Sequence, residues 1–129
     1  MPLFLVTLFL VSLLPILLAW VGAYCRTRQF GHLDNRHPRS QQAAMEGIGA
    51  RLHAAQSNAW EALIVYLSTA VVAMGAGADL HSLDTPALVF LASRLLHPIA
   101  YALDWQWIRS GVFAMGMLAC LVIMIGALW

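Results

Sequence analysis

The chain has 129 residues, 61% of them hydrophobic and only 10% charged, with a formal net charge of +1. Soluble domains carry roughly 25% charged residues, so this composition excludes a soluble enzyme, a disordered chain and a disulfide scaffold. Seven arginines against six acids, with no lysine, are too evenly balanced for a phosphate-binding surface, which excludes a nucleic-acid binder.

The first predicted element runs from Pro2 to Tyr24, 23 positions without a charged side chain. At 1.5 Å per helical residue it is long enough to cross a hydrocarbon core of about 30 Å. No Lys or Arg precedes it and no small-residue cleavage site follows, so it reads as a retained helix. Pro15 within it should bend that helix, because the ring removes one backbone donor and crowds the preceding turn. Arg26 to Ala50 then reads as a solvated loop of turn formers. Its His32 and His37 lack the i,i+4 spacing of a helical metal site, and no metal is expected. Cys25 and Cys120 stand alone and read as inert small hydrophobes.

Residues 51–78 form the next predicted span, with Arg51, His53 and Glu61 its only acidic or basic side chains. The pair Gly75 and Gly77 should end that helix. Residues 86–107 follow, with Arg94, His97, Tyr101 and Asp104, and residues 110–129 close the chain without a charge. The expected fold is an all-α membrane protein, one domain over residues 1–129, built as a four-transmembrane-helix bundle. Trp20, Trp105, Trp107 and Trp129 fall near span ends, where indole rings favour the headgroup region, whereas Trp60 does not. The first loop is rich in Arg26, Arg28, Arg36 and Arg39, while the second offers Asp79, His81 and Asp84. The excess of arginine places the first loop in the cytoplasm and both termini on the outer face.

At 100° per residue, Arg51, Asn58 and Glu61 share an arc of about 80° on the second span. Arg94, Tyr101, His97 and Asp104 share a similar arc on the third. Charged groups in a bilayer cost roughly 2.5–3.5 kcal/mol each even on a lenient scale, so both seams must face protein or an aqueous cleft. Similar depth on antiparallel helices makes an ion pair between Glu61 and Arg94 an expectation. Met115, Met117, Met124 and Phe113 in the last span match generic packing. The seams also admit a purely structural role, since interhelical polar contacts contribute about 0.6 kcal/mol on average.

The run from Arg51 through Asn58 to Glu61 resembles the second-helix signature of the MAPEG family, membrane-associated proteins in eicosanoid and glutathione metabolism. Arg94, His97 and Tyr101, followed by Arg109 and Ser110, are similar to the family's third-helix motif and the start of its fourth helix. The resemblance spans essentially the whole chain and lies nearest the bacterial branch. It implies a homotrimer with glutathione held in cytoplasm-facing clefts between neighbouring subunits, in a bacterial inner membrane with periplasmic termini. Carried over by residue, the resemblance implies that Asn58 and Glu61 contact glutathione or line its site, with Glu61 receiving its amino group. His97, Tyr101, Arg109 and Ser110 line the thiol and carboxylate end, as in prostaglandin E synthase relatives, and Arg109 stabilises a thiolate. The third-helix arginine, Arg94, is more often structural.

Two departures stand out: Ala54 and Ser57 occupy positions where eukaryotic members carry arginines that clamp carboxylates. Either binding is weakened, or Arg26, Arg28 or Arg51 takes that duty, or another ligand is used. The resemblance therefore implies a glutathione-dependent transferase or peroxidase acting on lipophilic electrophiles. Arg109, Ser110 and Tyr101 are its candidate catalytic groups; Arg51, Asn58, Glu61, Arg94, His97, Arg26 and Arg28 are its candidate cofactor contacts. The expected partners are further copies of the chain, lipids and an apolar substrate. The missing clamps leave open a non-catalytic membrane scaffold or lipid-binding trimer of the same fold. A small transporter fits less well, because one nearly neutral seam per subunit is a poor ion path.

Overall fold

The computed structural model describes residues Met1–Trp129. Five helices make up the chain: α1 (Leu3–Phe30), α2 (Pro38–Ala43), α3 (Gly47–Gly75), α4 (Asp84–Ala102) and α5 (Gln106–Leu128). Three of them, α1, α3 and α5, are long and apolar enough to cross a membrane. The 19-residue α4 packs against all three.

The first helix runs past the expected end at Tyr24, to Phe30. Nothing between Cys25 and Phe30 breaks a helix. Termination waits for Gly31, which takes a left-handed φ of 76° and donates its N–H to the Thr27 carbonyl at 2.9 Å. The segment expected as a solvated loop over 26–50 is therefore a folded cap, with α2 opened by Pro38 in its first turn. Asp34 Oδ1 accepts the N–H groups of Arg36 and His37, both at 2.9 Å. Gln41 accepts the Asp34 N–H at 3.1 Å and donates to the His32 carbonyl at 2.9 Å. Arg26 is buried and donates to the Pro38 carbonyl at 3.4 Å, tying α1 to the cap.

The C-termini of α3 and α4 share one device. Gly77, at φ 73°, donates to the Met74 carbonyl at 3.1 Å, and Ala78 donates to Ala73 at 3.1 Å. Asp104, at φ 58°, donates to Tyr101 at 3.1 Å, and Trp105 donates to Ala100 at 2.9 Å. Both patterns satisfy the last carbonyls of a helix through one left-handed residue. Asp104 thus leaves the polar seam expected to include it: α4 ends at Ala102, and Asp104 is an exposed turn residue.

The core sits toward the end of the bundle opposite the cap. Tyr66 stacks on Phe90 at 4.1 Å between ring centres and meets Phe4 edge-on at 5.8 Å. Its hydroxyl shares a 2.6 Å hydrogen bond with Thr7 Oγ1. Around them Ala62, Ala70, Ala73, Ala87 and Ala119 are buried, small side chains that let helix backbones approach closely where hydrophobic collapse supplies no drive. At that same end Asp84 Oδ1 accepts the Phe4 N–H at 2.8 Å, fastening the start of α1 to the start of α4.

Candidate active site at the cap end of the bundle

The left-handed turn at Asp104 reverses the chain within four residues, so that α5 begins beside the last turn of α4. This reversal places the Arg109 guanidinium 4.5 Å from the centre of the Tyr101 ring, a cation–π contact. Tyr101 in turn meets His97, one helical turn earlier, in a T-shaped contact at 5.1 Å. Asn58, His97, Tyr101, Arg109, Ser110 and Phe113 line one cavity of about 200 Å³. No acid contributes to its wall, and four of its groups can donate: a guanidinium, a phenol, an imidazole and an amide. Such a lining suits an anionic or acceptor-rich guest. Ser110 donates its hydroxyl back to the Gln106 carbonyl at 3.1 Å, which leaves the oxygen lone pairs and the adjacent cavity open.

Behind this wall sits Arg94, 1% exposed. Its Nε donates to Ser93 Oγ at 3.1 Å, its Nη1 to Asn58 Oδ1 at 3.2 Å and its Nη2 to the Val112 carbonyl at 3.3 Å. The guanidinium carbon also lies 5.5 Å from the centre of the Phe90 ring and 5.9 Å from that of Phe113. Neutral acceptors and aromatic faces, not an acid, hold this buried cation.

The expected ion pair with Glu61 is absent: the acid–base contacts within 4 Å are those of His37 with Asp34 and His81 with Asp84. The helix wheel explains why. The buried stripe of α3 comprises Leu52, Ala55, Ala59, Ala62, Tyr66, Thr69 and Ala73, centred about 45° from the direction of Arg51. Asn58 falls at its edge and meets α4, whereas Glu61 lies more than about 90° away and is exposed.

Of the candidate residues, the structure brings Asn58, His97, Tyr101, Arg109 and Ser110 to one cavity. The others lie elsewhere. Arg51 donates from Nη2 to the Ala102 carbonyl at 3.1 Å and so caps α4. Arg26 holds the cap helix. Arg28 borders a separate recess with Tyr24, Gln29 and Glu46. Glu61 points outward from the single chain, and Arg94 lies beneath the cavity floor. No three His, Cys, Asp or Glu side chains converge on a metal-ligand set.

Three contributors escaped the sequence reading. Phe113, read as generic packing, is a wall of the cavity and a platform for Arg94. Its position four residues after Arg109 puts both on one helical face, a signal present in the spacing. Ser93 and Gly116 carry no such signal. A Cβ on Gly116 would stand 2.6 Å from Ser93 Oγ and 2.9 Å from Arg94 Nη2, so the absent side chain is what makes room for the buried guanidinium.

An apolar groove of about 480 Å³ lies between α4 and α5 along Pro86, Val89, Gly111, Met115 and Leu118. Its composition suits a lipid tail and supplies no chemistry. It begins at Gly111, next to Ser110 of the polar cavity.

No curated protein and no solved structure matches the chain. A family model does, over residues 3–129, essentially its whole length. The chain is thus an integral membrane protein that belongs to the MAPEG family, the membrane-associated proteins of eicosanoid and glutathione metabolism.

Proposed function

We propose that the protein is a glutathione-dependent transferase or peroxidase acting on lipophilic electrophiles. In this reading it is a homotrimer of four-span subunits in a bacterial inner membrane, with both termini on the periplasmic face and the thiol bound in a cytoplasm-facing cleft between subunits. The observation that carries the reading is the cation–π contact of Arg109 with Tyr101 in the wall of a donor-rich, acid-free cavity. A cation and a phenol donor at a thiol sulfur lower its pKa from about 8.5 and raise the thiolate population. The thiolate then attacks the electrophilic centre, forming the new bond to sulfur as the leaving group departs.

Two further features support it. Glu61 is an exposed carboxylate well inside a membrane-length helix; such a group faces protein or water rather than lipid, and a neighbouring subunit supplies that cover. The apolar groove along Gly111, Met115 and Leu118 offers a lipophilic substrate a seat on the helix that carries Arg109 and Ser110. Calorimetric titration of the purified protein with glutathione tests the reading. Saturable heat with fixed stoichiometry supports it, and silence to millimolar concentration rejects it.

The alternative, a non-catalytic scaffold or lipid-binding trimer, is favoured by one observation: Ala54 and Ser57 are exposed and bring no basic side chain to the face where relatives carry a clamp. It predicts the silent titration.

A further inference from the structure

The Asn58 amide has two ends with opposite chemistry, and the structure decides which end faces the cavity. A guanidinium only donates hydrogen bonds. Whatever occupies the 3.2 Å contact with Arg94 Nη1 must therefore accept, which fixes the amide oxygen against Arg94. Nδ2 makes no hydrogen bond within the chain, and Asn58 is part of the cavity wall with His97, Tyr101, Arg109 and Ser110.

Arg94 is itself immobilised. Ser93 Oγ takes its Nε, the Val112 carbonyl takes its Nη2, and the bare face of Gly116 admits the group: a Cβ there would meet Ser93 Oγ at 2.6 Å and Arg94 Nη2 at 2.9 Å. The chain from Gly116 through Arg94 to Asn58 spans α5, α4 and α3. Its outcome is a single hydrogen-bond polarity at one corner of the cavity.

The geometry points to Arg94, Ser93 and Gly116 as positioning residues that turn the Asn58 Nδ2 donor into the cavity, making this corner a seat for an anionic or carbonyl acceptor of the bound ligand and not for a cation. The identification of that ligand as glutathione rests on the function proposed above; the polarity of the corner does not.

Asn58→Asp is the discriminating variant. It is nearly isosteric, and its carboxylate still accepts from Arg94, so the helix contact survives while the cavity gains an acceptor in place of a donor. Glutathione affinity, measured by calorimetry in detergent, should fall roughly tenfold or more, because a charge-assisted hydrogen bond is replaced by repulsion. Equal or tighter binding by Asn58→Asp would mean that the corner receives a donor, and the inference fails. Gly116→Ala tests the positioning chain. It should weaken glutathione binding, because the new Cβ would stand 2.9 Å from Arg94 Nη2; an unchanged affinity with only a lowered melting temperature makes Gly116 mere packing.

A third readout needs no ligand. The side-chain amide resonance of ¹⁵N-labelled Asn58, identified by its loss in Asn58→Asp, should move in Gly116→Ala, and a resonance that stays in place overturns the positioning role. If the wild-type protein is silent toward glutathione, the proposed function fails while this measurement still decides the inference.

Discussion

The guanidinium carbon of Arg109 lies 4.5 Å from the centre of the Tyr101 ring, joining the first turn of α5 to the last turn of α4. The contact leaves the remaining guanidinium donors free for a guest in the cavity that both residues line. Arg109→Ala should lower turnover at least tenfold, a loss of about 1.4 kcal/mol in transition-state stabilisation, with a smaller change in glutathione affinity. Arg109→Lys should recover only part of it, since an ammonium lacks the planar face that stacks on the phenol. Steady-state kinetics with a lipophilic electrophile check both, and wild-type turnover in either variant removes the planar stack from the mechanism.

The reversal that brings these residues together depends on Asp104 at φ 58°. Left-handed backbone is tolerated by Asp and Gly but costs a residue with a branched Cβ roughly 1–2 kcal/mol. Asp104→Gly should keep both stability and activity, whereas Asp104→Val should lower the melting temperature and lose activity together. Thermal unfolding in detergent beside the kinetic assay distinguishes them, and an active, stable valine variant would show that the turn does not hold the cavity.

In the core, Tyr66→Phe removes the 2.6 Å bond to Thr7 but keeps the stack on Phe90. Thr7 retains its bond to the Phe4 carbonyl at 2.8 Å, so no buried donor is orphaned. The expected loss is about 0.5–1 kcal/mol, the scale of interhelical polar contacts in membranes. Denaturant titration of wild type and variant measures it.

The cap should respond to acid. The backbone N–H of His37, aided by that of Arg36, holds the Asp34 carboxyl below its ordinary value of 3.8. A carboxylate whose pKa is lowered by folding contributes stability that is present above the unfolded value and lost as pH falls through the folded one. Hydrogen-exchange protection of residues 34–43 should therefore be constant above about pH 4 and decline only below it. Asp34→Asn, which keeps the acceptor without the titration, should remove that decline.

Much of this arrangement was legible from the residues alone. Uncharged runs marked the outer helices, because burial of charge in hydrocarbon is so unfavourable that its absence over 20 positions has few other meanings. Gly77 as the stop of α3 was legible for an equally local reason. The gathering of Asn58, His97, Tyr101, Arg109 and Ser110 followed from spacing and the family resemblance together. What stayed hidden was long-range or subtractive. The partner of Arg94 depended on how far α3 is rotated, which moved the contact from Glu61 to Asn58. Gly116 acts through atoms it lacks. The helical part of the first loop depended on Asp34 and Gln41 closing hydrogen bonds across several residues.

The most direct test is an experimental structure of the assembled protein at saturating glutathione. Density for the tripeptide is predicted in the cavity, with its sulfur near Arg109 and an acceptor against the Asn58 amide nitrogen. An empty cavity under those conditions, or the tripeptide bound away from Asn58 and Arg109, would contradict the account.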